Sequence, residues 1–277
     1  MKSIFFVPVG GLGNRMRAVA SAVSLARKLG VTVHIGWFKD WALNAEFSSL
    51  FELPDVPGVK ISDVPSVLYW ALDRPRKKNL FIPRVFQSLM FGQCLYENEM
   101  GELFSRKTDF MSYDFKTRSS LYMASFHPFF GYDKELFNSL FLPNKQIRKK
   151  INDRRSGFSD FTIGVHVRRT DNILSVNESP IELFYEYIDD ELKNHNDMTI
   201  YLATDSENVK RDFCSRYGNL VITSNNEADR GSVEGIQDGI VDLYTLSETS
   251  RIYGSYGSSF SELAAEIGGI PLTIVRK

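Results

Sequence analysis

The chain has 277 residues, 43% of them apolar, and a formal net charge of −1 at neutral pH. That is enough to bury a core in one large domain or two small ones, and a balanced charge excludes a protein built mainly around nucleic-acid phosphates. With two cysteines, four scattered histidines and no Cys-x-x-Cys pair, neither a disulfide framework nor a structural zinc site is implied.

In chain order, Ile4 to Val7 form an apolar run that breaks at Pro8, short of the roughly 7–15 residues of a secretory signal. Residues 3–9 therefore read as a strand. Residues 10–13 are a glycine turn, and from Asn14 the positions Met16, Val19, Ala20, Val23 and Ala26 share one helical face. Arg27 and Lys28 suit the last turn and Gly30 the stop. Residues 31–37 predict a second strand, so the chain opens as a doubly wound sheet. Residues 40–158 mix aromatics, prolines and basic clusters without a readable period. Within them, 121–126 reads as a strand and 143–157 as a helix and linker between two halves. Most of Trp37, Trp41, Tyr69, Trp70 and His127 are expected in the core, although such rings also suit a sugar-binding face.

Regularity returns at residue 161. Residues 161–167 predict a buried strand. Ser179-Pro180-Ile181-Glu182 has capping-box spacing, with the proline at the first helical position. Strands over 198–203, 220–223, 251–255 and 270–275 alternate with helices from residue 206 to Gly218, over 235–248 and over 258–267. No stretch approaches the ~20 apolar residues of a membrane span. Short βα connections imply right-handed parallel crossovers. The expected fold is α/β, with two Rossmann-like halves, mainly parallel sheets and a cleft between them. The domains are expected at 1–157 and 158–277. Ligands of such sheets bind at the carboxyl ends of the strands.

The polar segments at those ends carry the candidate chemistry. Gly164 to Asp171 runs off one strand with Arg168 and Arg169 adjacent. Guanidinium forks suit phosphate, and neighbours in an extended chain face opposite ways. One arginine is then expected on a phosphate and the other among carboxylates, against the reading of a solvated charge cluster. Gly10-Gly11-Leu12-Gly13-Asn14 allows close backbone approach at a helix start. Met16 stands where a dinucleotide fingerprint needs its third glycine, and no Gly-Lys-Ser/Thr follows, so the alternative is a plain turn. Thr204-Asp205-Ser206 and Ser258-Ser259 suit either helix capping or phosphate. Asp242 lies in an apolar helical stretch and needs a partner, for which Arg168 or Arg169 is the expectation. His166 taken alone reads as a satisfied buried histidine.

These segments resemble a family. His166-Val167-Arg168-Arg169-Thr170-Asp171 resembles a segment of the N-glycan core fucosyltransferases, and a related segment occurs in the rhizobial nodulation fucosyltransferase. Tyr201 to Asp205 is similar to the next core motif, and Val241-Asp242-Leu243 with Leu246-Ser247 to the third. Gly10 to Asn14, and Ser258-Ser259-Phe260-Ser261 with Ala264-Ala265, resemble the bacterial α-1,2-fucosyltransferases of the same superfamily.

The resemblance implies a GT-B enzyme with its acceptor side in the N-terminal half and a GDP-sugar donor, GDP-fucose, in the C-terminal half. Transfer would be inverting and would need no metal or other cofactor. Arg168 would hold the β-phosphate, and His166 and Asp171 would place the guanosine or Arg169. Asp205 and Asp242 would support the nucleotide pocket, and Ser258 and Ser259 would touch phosphate. Gly11 and Gly13 would line the donor, with Asn14 near the sugar. The core enzymes use a downstream glutamate as general base. The nearest carboxylate here is Glu178, in a shorter loop and out of register. The eukaryotic extensions, a Golgi anchor and an SH3-like tail are not matched. The expectation is a cytoplasmic bacterial enzyme acting on an oligosaccharide or glycolipid in polysaccharide or glycoconjugate synthesis. It has no nucleic-acid partner and no transmembrane segment, and peripheral membrane contact is compatible with it. The competing readings are a non-catalytic sugar-nucleotide or glycan-binding protein on the same fold, and a nicotinamide-dependent oxidoreductase.

Overall fold

A computed structural model describes residues 1–76, 81–170, 172–224 and 231–277. Two compact units divide the chain, Met1–Leu142 and Pro143–Lys277.

In the first unit, strands β1 (Ser3–Pro8), β2 (Thr32–Trp37), β3 (Val59–Asp63), β4 (Gln93–Leu95) and β5 (Ser120–Ser125) form a parallel sheet in the order β3-β2-β1-β5-β4. Helices α1 (Leu12–Leu29), α2 (Tyr69–Leu72), α3 (Phe81–Met90), α4 (Glu97–Ser105) and α5 (Lys134–Leu140) accompany it. β1 lies between β2 and β5, and Ile4, Phe6 and Val7 are fully buried. A strand covered on both faces needs an unbroken apolar run, which is what marks it in the sequence. α1 begins two residues before Asn14. Gly11 is its N-cap without a side-chain bond, and Gly13 and Asn14 lie in its first turn. Gly10 bends the chain ahead of it with φ of 88°, a conformation that L side chains rarely adopt. Gly30 ends α1 in the left-handed region, its N–H reaching the carbonyls of Ala26 and Arg27.

The stretch without a readable period is ordered by rings. Trp37 packs on Phe47 (5.4 Å), Phe47 on Phe51 (5.3 Å) and Phe51 on Phe141 (5.3 Å). Trp37 meets the core expectation, whereas Trp41 and Trp70 are exposed.

In the second unit, β6 (Thr162–Val167), β7 (Thr199–Thr204), β8 (Val221–Thr223), β9 (Arg251–Ser255) and β10 (Leu272–Val275) form a parallel sheet in the order β10-β9-β6-β7-β8. Its helices are α6 (Lys145–Arg155), α7 (Ile173–Glu178), α8 (Ile181–Asn194), α9 (Glu207–Tyr217), α10 (Val233–Ser247) and α11 (Ser259–Gly268). Ile163, Val165 and Val167 of β6 are fully buried against Phe184, Ile188 and Phe213. Each such side chain contributes about 1.5–3 kcal/mol. At Gly254 an added Cβ would lie 2.6 Å from Ser261 Cβ, so the missing side chain lets α11 close on β9.

Two expectations change here. A boundary after residue 157 leaves residues 143–157 with the first half, but they fold with the second unit. The cause is α6, which docks on α10 through Lys150–Asp238 (3.0 Å) and Arg154–Asp242. The expected capping box does not form either. Pro180, not Ser179, is the N-cap of α8, and it makes no side-chain bond. Ser179 Oγ instead donates to the Val275 carbonyl (2.6 Å) and accepts the Tyr256 N–H (2.8 Å).

Candidate functional site

The strand order of the second unit reverses at β6. β7 and β8 are laid down on one side of it, and the chain then returns to place β9 and β10 on the other. The loops leaving β6 and β9 open around this switch point, where ligands of doubly wound sheets bind.

Arg168 and Arg169 leave β6 at that point. The Arg168 N–H donates to Ser255 Oγ (3.0 Å), which donates to the His166 carbonyl (3.3 Å), so the ends of β6 and β9 are tied together. On the other flank, Asp205 follows β7. Its carboxylate accepts the Arg169 N–H (2.7 Å) and the Thr170 hydroxyl (2.7 Å) and pairs with Arg168 Nη1 (3.1 Å). Thr204 Oγ1 donates to the Val167 carbonyl (2.7 Å). One carboxylate thus fixes both the backbone and the guanidinium of the β6 loop. Asp205 is not a helix cap: Ser206 has that place before α9.

The two arginines diverge, as the pleat requires. Arg168 pairs with the carboxylate through Nη1 of its five-donor guanidinium. The Arg169 guanidinium turns to carbonyls, those of Ser179 (2.7 Å) and Arg168 (3.1 Å). Burial lowers its pKa against the pull of Asp205, but a guanidinium stays charged at neutral pH.

His166 is buried beneath this edge, its ring 4.9 Å from Phe260. Burial pushes its pKa down to about 4. Asp205 opposes the shift and Arg168 adds to it, so the ring is neutral at physiological pH. It is not the satisfied histidine expected, because Nδ1 has no hydrogen-bond partner among the described residues.

Ser258 is buried at the N-cap of α11 and makes no side-chain cap bond, while Ser259 is exposed in the first turn. The first N–H groups of α11 are therefore not capped by Ser258, and they carry the positive end of the helix dipole. Next to an anchored arginine, on the strand adjoining β6, this arrangement favours an anion such as a phosphate.

The other expected residues are not all gathered here. Asp242 takes its hydrogen bonds from Arg154 and from Tyr201 (2.7 Å), not from Arg168 or Arg169. Tyr201 precedes Asp205 by four residues on β7, so Asp242 sits back along the sheet from its carboxyl edge. The reason is α6, whose Arg154 the sequence does not tie to α10. Glu178 ends α7, half-buried, and its carbonyl accepts the Lys277 N–H (3.0 Å) beyond β10. Asp171 lies outside the described residues. Gly11, Gly13 and Asn14 belong to the first unit, at the start of α1, where an added Cβ on Gly11 would meet nothing within 4 Å.

Sequence reasoning missed the residues that brace this edge. Asn172 donates to the Gly257 carbonyl (3.2 Å), and Ser175 to that of Tyr256 (2.6 Å). With Ser179 they tie α7 to the end of β9, and nothing in their spacing announces it. In the first unit it missed Arg15, fully buried and bonded to the carbonyls of Gly10 (2.8 Å) and Phe38 and to Asp40 (2.8 Å). Arg74 and Arg76 share Asp40. Among the described residues no three His, Cys, Asp or Glu side chains converge as metal ligands, and no helix is long and apolar enough to cross a membrane.

Residues 117–268 match the family model for alpha-(1,6)-fucosyltransferase N- and catalytic domains. Among solved structures, the chain is similar to NodZ alpha-1,6-fucosyltransferase soaked with GDP-fucose, with 18% identity over 99% of this chain and 94% of that one, at a TM-score of 0.65. Fucosyltransferase NodZ from Bradyrhizobium matches with 19% identity over 95% and 92%, at a TM-score of 0.62. POFUT1 in complex with GDP matches with 12% identity over 99% and 98%, at 0.59. These structural likenesses speak for the fold. The family match takes in more than half of the chain, including β6, β7, β9 and the start of α11, and on it the chain belongs to the alpha-(1,6)-fucosyltransferase family and is a glycosyltransferase.

Proposed function

We propose that the second unit binds GDP-fucose at the carboxyl edge of its sheet and that the enzyme moves the fucosyl group to a glycan hydroxyl. The observation that carries this is Arg168, held by Asp205 at the switch point beside the Ser258 end of α11. Of the solved structures named above, one NodZ structure was soaked with GDP-fucose and the POFUT1 structure is a complex with GDP. Arg168 and the first turn of α11 are assigned to the diphosphate. His166, Arg169 and Asp171 are assigned to positioning the nucleotide. Asp205 acts through Arg168. In the first unit, the acceptor side, Gly11, Gly13 and Asn14 are assigned to sugar contact, on the open space over Gly11 and the exposure of Asn14.

In the reaction, the bond from the sugar C1 to the β-phosphate oxygen breaks and the acceptor oxygen bonds C1 from the opposite face, inverting it. Negative charge grows on the departing diphosphate, where fixed cationic and N–H donors lower the barrier. Losing one such donor costs about 2.7–4 kcal/mol. Because these donors can carry the leaving-group charge, transfer is proposed to be metal-independent, with turnover in excess chelator within about twofold of that with divalent cations. The acceptor proton is assigned to Glu178. Glu178→Gln is expected to lower kcat and leave donor binding intact, and an unchanged kcat would leave the proton to solvent. The acceptor is proposed to belong to bacterial surface polysaccharide or glycoconjugate synthesis in the cytoplasm, a reading supported by the resemblance of the glycine turn to the bacterial α-1,2-fucosyltransferases.

The test is calorimetric titration with GDP, GDP-fucose, GDP-mannose, UDP-glucose and NAD, repeated on Arg168→Ala, followed by turnover with glycan acceptors. The GDP compounds are expected to bind and the substitution to weaken them about tenfold or more. Binding of UDP-glucose or NAD in place of GDP compounds would overturn the donor assignment. Binding without turnover on any acceptor would overturn the transfer.

A further inference from the structure

Helix α3 turns an apolar face outward. Its inner side is anchored by Gln87, which is fully buried and donates to the Asp73 carbonyl (2.7 Å). Its outer side shows Ile82, Val85 and Leu89, at spacings of one helical face, with exposures of 54%, 56% and 80%. Met90 extends that face at 51%. Trp70 of α2 joins it, with its ring edge-on to Phe86 at 4.3 Å and still 44% exposed. Single exposed apolar residues are ordinary on a protein surface, but a contiguous row of them along one helix marks an interaction face.

Basic residues are dense in this stretch of the sequence. Between Asp73 and Glu97 the sequence holds Arg74, Arg76, Lys77, Lys78 and Arg84 and no carboxylate. Arg74 and Arg76 are engaged with Asp40, Asp73 and Glu97. Arg84 is exposed on α3, its guanidinium 4.9 Å from the Tyr96 ring centroid. Arg118 is exposed on the loop that reaches the end of α3, where Ser120 Oγ donates to the Met90 carbonyl (3.4 Å). An apolar stripe flanked by arginines, with an indole at its margin, is the pattern of a helix lying in a lipid interface. A second copy of the same face would set cation against cation, whereas anionic headgroups meet both the charge and the apolar stripe.

We propose that α3 and Trp70 form a peripheral docking surface for anionic lipid bilayers, with α3 parallel to the membrane plane and Val85 and Leu89 inserted at the headgroup boundary. The site is independent of the donor edge of the second unit. The test is co-sedimentation of the full chain with vesicles of phosphatidylcholine alone or mixed with phosphatidylglycerol, at low and high salt. The variants are the double substitution Val85→Glu/Leu89→Glu and, separately, Arg84→Glu, each checked for an unchanged thermal midpoint. Because the substituted positions are exposed, folding is expected to persist. Binding to the anionic vesicles is expected, weakened by salt, with a loss of about tenfold or more in the double variant and a smaller loss in Arg84→Glu. Three outcomes would overturn the proposal. One is no binding to anionic vesicles at low salt. Another is equal binding by the double variant. The third is a wild-type dimer in sedimentation velocity that the double variant dissolves, which would make the face a self-association surface.

Discussion

Replacing Asp205 by asparagine changes the charge at the switch point and almost nothing of the volume. The carboxylate accepts from the Arg169 N–H and the Thr170 hydroxyl, both at 2.7 Å, and holds Arg168 Nη1 at 3.1 Å. The Arg168 and Asp205 side chains are only 15% and 11% exposed, so solvent screens the pair weakly. An amide keeps one oxygen for Arg169 and points its NH2 at the other two partners. The Thr170 hydroxyl can reverse its role, but the guanidinium has no acceptor to offer. A hydrogen bond to a charged group contributes about 1.5–3 kcal/mol, so Asp205→Asn should lower unfolding free energy by roughly 2 kcal/mol. Asp205→Ala, which leaves Arg168 without this partner, should cost about 3–5 kcal/mol. Without the carboxylate that fixes Nη1, Arg168 is held less well for the ligand, and GDP affinity should fall about tenfold. Urea unfolding and calorimetric titration read the two effects separately. If Asp205→Asn kept both the urea midpoint and GDP affinity, Arg168 would not be positioned by Asp205, and the account of the donor edge would fail.

Other expectations follow from the same structure. His166, held near 4 against an ordinary 6.5, stays neutral when folded while the unfolded ring protonates, so its contribution is complete above pH 6.5, declines as pH falls toward 4 and is flat below. The span is roughly 3 kcal/mol. Urea midpoints between neutral pH and the folded pKa should fall less steeply in His166→Gln, and equal slopes would remove the ring from acid lability. Asp242→Ala breaks the contacts with Arg154 and Tyr201 and should cost about 3–5 kcal/mol of stability with GDP affinity unchanged; a loss of GDP binding in the folded variant would return Asp242 to the donor pocket. Gly254→Ala pushes α11 away from β9 and should lower stability by about 1–3 kcal/mol. An unchanged thermal midpoint would mean the helix yields freely.

The strands of the second unit were readable because parallel strands buried on both faces leave apolar runs, as in residues 161–167. The first unit was readable only through β1, α1, β2 and β5. β4 has three residues and α2 four, too few to show a period. α3 misleads in another way: its exposed side is apolar, so the usual inference from pattern to burial fails there. Arg168 and Asp205 could be proposed because charged residues at strand ends stand out. Their bond could not be, since it joins two loops far apart in the chain. Asp242 shows the limit most clearly. The need for a partner was legible, but Arg154 came from a helix that the sequence leaves with the other half. Ser179 fits a cap by spacing and was drawn away by Val275 and Tyr256.

The central position of β6 bears on how the enzyme can move and change. Its backbone amides are paired with both β7 and β9, so they should be among the last in the unit to exchange with solvent, while β8 and β10 at the edges open first. Breathing of the sheet margins then leaves Arg168 where it is, and displacing it requires opening the middle of the unit. Diversification among relatives would run through the surface loops, with the arginine and its carboxylate as the part that change has to build around.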